Sequence, residues 1–206
     1  MNKKEGSSLV EFTVIFTILF ILILIVYAMR LSCIKSEAEM THDDLLSSEL
    51  AAYKEIDLDK LGRSDDLKLI VFSDYNAAYN TFKEYLHYNL NLDENLNPKD
   101  KKFNFIKSRV NIEQFIIYNM EGNDIHRIIL QENNSGGVNI VSDDLIKDGK
   151  DKTKTPCGKI VESTTLYAKI GFDIERIFGQ TQHVSIDEQT DIIKQQKGWG
   201  IWKREL

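Results

Sequence analysis

Three small groups of residues carry side chains that could do chemistry. The first is at the N-terminus, where Lys3-Lys4-Glu5-Gly6 precedes Ser7-Ser8-Leu9-Val10-Glu11-Phe12. A cut between Gly6 and Ser7 would create a new α-amino cation, and Glu11 would stand one helical turn from it. That is ion-pair chemistry, within one helix or between neighbouring ones. The second is the pair Cys33 and Cys157. Two thiols are too few for a disulfide framework. One bridge suits an oxidising compartment; the alternative is two unpaired thiols, with Cys33 packed on a helix. The third is Asp143, Asp144, Asp148 and Asp151 around Gly149, oxygen ligands of the kind calcium takes. EF-hand spacing is absent, and Lys147, Lys150, Lys152 and Lys154 dilute the charge, so the segment reads as a solvated loop.

Nothing else resembles a reactive site. His42, His87, His126 and His183 are isolated, without HExxH or Cys-x-x-Cys spacing. P-loop, GxSxG and kinase signatures are missing. The expectation is a protein that is not an enzyme and needs no metal or other cofactor. The net charge of −6, with no long basic block beyond the N-terminus, argues against a nucleic-acid partner.

The element that positions the first group is an apolar run. From Phe12 to Met29 there is no charge, and Leu9–Met29 spans about 30 Å as a helix, the thickness of a bilayer core. A cleaved secretory signal would be shorter and would end in a small-x-small site, which Met-Arg-Leu-Ser-Cys is not. A lipoprotein signal ending at Cys33 would not place Arg30 three residues before it. A retained membrane helix fits best. Lys3 and Lys4 before it balance Arg30 and Lys35 after it, so charge alone does not orient it.

Glu11 is the anomaly in that run, because a carboxylate beside hydrocarbon costs on the order of a few kcal/mol. Edge placement is one explanation: the helix macrodipole favours an anion in the first turns, and Ser7 or Ser8 can cap the start. Pairing is the sharper one. With the chain cut after Gly6, Glu11 meets its own amine or that of a neighbouring subunit, and a paired buried charge specifies register.

These N-terminal residues resemble those of type IV pilins and pseudopilins: a short basic leader ending in Gly6, a glutamate as fifth residue of the mature chain, then a long apolar helix. Val10-Glu11-Phe12 with this short leader looks most like the TadE-like pseudopilins of tight-adherence (Flp) pilus systems. The resemblance covers about the first 30 residues. It implies that a membrane-embedded prepilin peptidase cuts between Gly6 and Ser7 on the cytoplasmic side. It further implies a single-pass protein with its C-terminal domain extracytoplasmic. Other pilin subunits, met through the N-terminal helix, and a pilus assembly platform would be its partners. A minor pilin or pseudopilin is the expected role, Glu11 the assembly residue, and a cell-surface filament or its base the destination. The rival readings are an unprocessed signal-anchored binding or sensor protein and, behind it, an anchored enzyme.

Past the membrane, Arg30–Glu55 lacks Gly and Pro and is rich in helix formers. Leu31, Ala38, Leu45 and Ala52 recur every seven residues, but Thr41 and Ser48 thin the seam. A long helix packed on its own domain is expected, rather than a coiled coil, with Gly62 ending the region. The divisions are a leader at 1–6, a transmembrane helix at 7–29, an extended extracytoplasmic helix at 30–60 and a C-terminal α+β domain at 61–206. Ser73-Asp74 caps a second helix whose Tyr75, Ala78, Tyr79, Phe82, Leu86 and Leu90 form one core-facing stripe. Leu92–Lys102 reads as a charged loop. Strand-like alternation follows at Val110 and Ile112, then, after a shift, at Phe115 and Ile117. Ile125–Gln131 comes after a turn at Met120–Asp124, and Val138–Val141 is a short strand. Lys159–Ile174 makes one long strand or two. Val184 and Ile186 mark a last strand, with Asp187–Lys197 helical. Hairpins in series predict a largely antiparallel sheet of four to six strands. Trp199 and Trp202 are expected to dock on it.

Overall fold

The computed structural model describes residues 3–57, 59, 70–100, 104–133, 137–176 and 179–191, with side chains from Val10 onward. Gly62, Trp199 and Trp202 lie outside the described residues. The architecture is α+β, as the sequence indicates. Helix α1 (Lys3–Ala52) runs 50 residues without a break, and α2 (Tyr75–Asn89) follows. Strands β1 (Asn111–Glu121), β2 (Asp124–Glu132), β3 (Val138–Ile146), β4 (Thr165–Glu175) and β5 (Thr181–Asp191) form one sheet in the order β3-β2-β1-β4-β5. Every neighbouring pair is antiparallel.

Helix α2 forms where its sequence says it should. Asp74 is extended, and its carboxylate accepts the Ala77 N–H at 2.9 Å, capping the first turn. The face carrying Ala78, Tyr79, Phe82 and Leu86 is buried. Phe115 of β1 meets that face, its ring centroid 5.1 Å from Tyr79 and 4.9 Å from Phe82. We expect Asp74→Ala to cost about 1 kcal/mol, the usual value of such a cap. It would be read as a lower midpoint in a thermal melt of the detergent-solubilised protein; an unchanged midpoint would show the cap is redundant.

The central strand explains the sheet's two faces. The shift after Ile112 is a register irregularity between Ile112 and Gln114. From Phe115 to Met120 every residue of β1 is buried, on both faces. Phe115 and Ile117 join the core beneath the helices, with Phe82, Leu166 and Phe172. Ile116, Tyr118 and Met120 join a second cluster with Val161 and Tyr167 on the opposite face. Val161 belongs to the connection from edge strand β3 across to β4, so this crossing segment covers the back of the sheet. The β1–β2 hairpin closes at Gly122-Asn123, with Gly122 at φ +68 in the first turn position, where a glycine-led hairpin needs a positive φ.

Several expectations change. Regular helix ends at Ala52 rather than near 60, because Tyr53 is drawn into the core and a 3₁₀ turn (Tyr53–Glu55) leads to an extended Ile56 bridged to Phe72. The Leu92–Lys102 loop hides Leu92 and Leu96 completely, despite its charges. Asp143 and Asp144 are not loop residues. They extend β3 to Ile146, where Asp144 binds Arg127 at 2.7 Å and Asp143 pairs with His126 on β2. Asp187–Asp191 continues β5 instead of starting a helix, because Glu188, Gln189 and Thr190 are buried and paired against β4; 192–197 lies outside the described residues.

Candidate membrane and assembly segment

Gly6 and Ser7 lie within the first turns of α1. Their side chains fall outside the described ones. Glu11 is exposed. Every large apolar side chain from Val10 to Met29 is 45–69% exposed, so the run finds no cover in its own protein. The helix is long and apolar enough to cross a membrane, and an 18-residue window within it has a mean hydropathy of 2.9 and none of its residues buried. The Thr17 hydroxyl donates to the Thr13 carbonyl at 2.8 Å, a pairing that needs no water.

Beyond Met29 the same helix passes gradually into the domain. Along the seven-residue seam Leu31 is exposed, Ala38 half-buried, and Leu45 and Ala52 fully buried. Thr41 and Ser48, too small for a coiled-coil seam, are buried instead. Ser48 donates to the Asp44 carbonyl at 2.7 Å and accepts Asn89 Nδ2 of α2 at 3.0 Å. The exposed part of the helix therefore packs on its own domain. An open groove of about 560 Å³ separates the neck, at Cys33, Glu37 and Met40, from Leu90, Phe105 and Ile106.

The far end of α1 is fastened by a polar anchor that the sequence reading missed. Glu49 is fully buried. One carboxyl oxygen accepts the Ala168 N–H of β4 at 2.8 Å, and the other is bonded to the Thr190 hydroxyl of β5. One turn on, the Tyr53 hydroxyl accepts the Leu166 N–H at 3.1 Å and donates to the Thr190 carbonyl at 2.6 Å. Leu166 and Thr190 oppose each other in the register, so the hydroxyl bridges β4 and β5. Burial pushes the Glu49 carboxyl well above the ordinary glutamate range, and Glu188 adds to the rise; the Thr190 and Ala168 hydrogen bonds oppose it. Beside it, Glu188 pairs with His42 of α1 and with Lys159 at 2.8 Å. Burial works against the charged form of Glu188. The Gln189 N–H and Lys159 outweigh that and hold its carboxyl below the usual range. Glu49 shares a face with Leu45, Ala52 and Tyr53, three and four residues away, which is the one signal that marks it as inward-facing.

The two cysteines are free and exposed. Cys33 lies on the neck, whereas Cys157 Sγ lies 3.6 Å from Gln189, at the Glu49 end. The sixteen residues from Cys33 to Glu49 rise about 24 Å, far beyond the Cα separation a disulfide allows. The single bridge considered from the sequence does not form. The aspartates around Gly149 are dispersed: Asp148 and Asp151 occupy positive-φ turns, and the Asp148 N–H donates to Asp124 at 2.7 Å. Among the described residues no group of His, Cys, Asp and Glu is placed to hold a metal ion. Three of the isolated histidines have acidic partners: His42 with Glu188, His126 with Asp143, and His183 with Asp173 at 2.9 Å.

No protein-family model, curated protein or solved structure matches the chain.

Proposed function

We propose that the protein is a membrane-anchored pilin-like subunit. In this reading it is a minor pilin or TadE-like pseudopilin, cut between Gly6 and Ser7 and drawn by an assembly platform into a filament or its base. The observation that carries it is the wholly uncovered apolar helix that opens at Glu11 and continues unbroken into the core of an α+β head. A helix left bare over about 30 Å needs lipid or other helices around it, and its continuity with buried Leu45 and Glu49 favours retention over removal. The head then lies outside the cytoplasm, and the protein binds and assembles rather than catalyses.

The test is the intact mass and N-terminal sequence of the chain from native membranes. The expected chain begins at Ser7, and Gly6→Val accumulates in the uncut form. A native chain that begins at Met1 would sink the reading in favour of a plain signal-anchored protein.

A further inference from the structure

The height of the domain above the apolar run can be measured along two elements that share one level. Glu49 of α1 accepts the Ala168 N–H of β4, which sets those two residues side by side. From Met29 to Glu49 the helix climbs about 30 Å. From Ala168, β4 descends seven residues to Glu175, about 23 Å. Glu175 thus ends only about 7 Å beyond Met29 along the helix. Local contacts agree: Arg30, Cys33, Ile34 and Glu37 of α1 line one small cavity with Phe105, Lys107 and Glu175. The polar layer on each side of a bilayer core is about 5–8 Å thick. Arg176 and Gln180 follow at the same end of β4 and β5, joined by the Arg176 N–H on the Gln180 carbonyl at 2.7 Å.

We propose that this base, formed by Phe105, Lys107, Glu175, Arg176 and Gln180 around Arg30, is a membrane-contact surface. It rests on the phospholipid headgroups of the leaflet from which α1 emerges. The inference depends on the reading of Val10–Met29 as a membrane span. A span that ends at Met29 leaves no stalk, so the domain's lower turns lie at headgroup level. Their chemistry suits that layer. Arg30 and Arg176 are exposed cations, available to phosphate. Lys107 is steadied by Glu175 at 3.7 Å, and half-buried Phe105 is braced by Phe172, ring centroids 6.2 Å apart.

Three bimane-labelled forms of the full chain test this in vesicles of phosphatidylcholine and phosphatidylglycerol that contain a headgroup-nitroxide phosphatidylcholine. The Cys157→Ser form carries the label on Cys33 and reports insertion of the helix. Gln180→Cys, with both native cysteines changed to serine, reports the base. The Cys33→Ser form carries the label on Cys157, beside Gln189 at the opposite end of β4. The expected result is loss of fluorescence at Cys33 and at Gln180→Cys, and none at Cys157. A Gln180→Cys label that stays as bright as the Cys157 label while Cys33 is quenched would overturn the contact surface alone. An unquenched Cys33 label would overturn the membrane span, and the inference with it.

Discussion

Glu11→Ala is expected to enter the membrane as well as the unaltered chain and to be missing from the filament of the proposed pilin-like role. Insertion depends on the apolar window, and alanine is no worse than glutamate beside lipid, so the carbonate-resistant membrane fraction stays the same. Assembly depends on charge. In the proposed pilin-like role, the carboxylate meets the Ser7 amine of its own or a neighbouring helix in surroundings without water. Removing one member of a buried ion pair costs about 3–5 kcal/mol, a hundredfold or more in subunit association. Glu11→Gln keeps the shape and loses the charge, and the same failure is expected. The readout is an immunoblot of sheared filaments beside the membrane fraction. Recovery of Glu11→Ala in filaments at the normal level would remove the assembly role from this residue.

The second large effect is in the anchor. Glu49→Ala strips the acceptor from the Ala168 N–H and the partner from the Thr190 hydroxyl, and leaves both buried. Each orphaned group costs about 1–3 kcal/mol, so the domain loses about 2–6 kcal/mol. Glu49→Gln, a shape match for the protonated acid, keeps both contacts and most of that stability. The pH dependence separates the two forms of the glutamate. Its folded pKa lies above the unfolded one, so the folded protein binds the extra proton. The contribution is complete below the ordinary glutamate pKa of about 4.3. It is then lost as pH rises toward the folded value. Glu188 runs the other way: its lowered pKa gives stability above the ordinary value that is lost as pH falls. Unfolding midpoints collected across pH should therefore decline less on the alkaline side in Glu49→Gln than in the unaltered chain. Parallel profiles would show that Glu49 is already ionised in the folded protein.

What could be read from sequence followed how local each signal was. The apolar run, the Asp74 cap and the Tyr79–Phe82–Leu86 stripe are short-range patterns, and each appears where expected. So does the shift between Ile112 and Phe115, which the sheet realises as its register irregularity. The misreadings share a cause: a polar residue reads as loop until its partner across the sheet is known. Asp143 and Asp144 looked solvated, yet His126 and Arg127 on β2 hold them in a strand. Glu188, Gln189 and Thr190 looked like the first turn of a helix, yet α1 and β4 bury them. Glu49 carries no local sign beyond its place on the Leu45–Ala52 face, and its partners Ala168 and Thr190, more than a hundred residues away in the chain, reveal its role. Of the proposed site, the apolar helix and its bare side chains were legible because they stand apart from the rest of the fold. The anchor that ties them to the head was not.

The unbroken course of α1 also makes it the mechanical element of the protein. A pull on its N-terminal end meets no hinge from Lys3 to Ala52, so the load travels along one rod to Glu49 and Tyr53. There it is handed to both β4 and β5. Those strands share eleven opposed residue pairs, so they take the load as one unit instead of one rung at a time. In the proposed pilin-like role, that is the line along which the head would be drawn by its N-terminal helix.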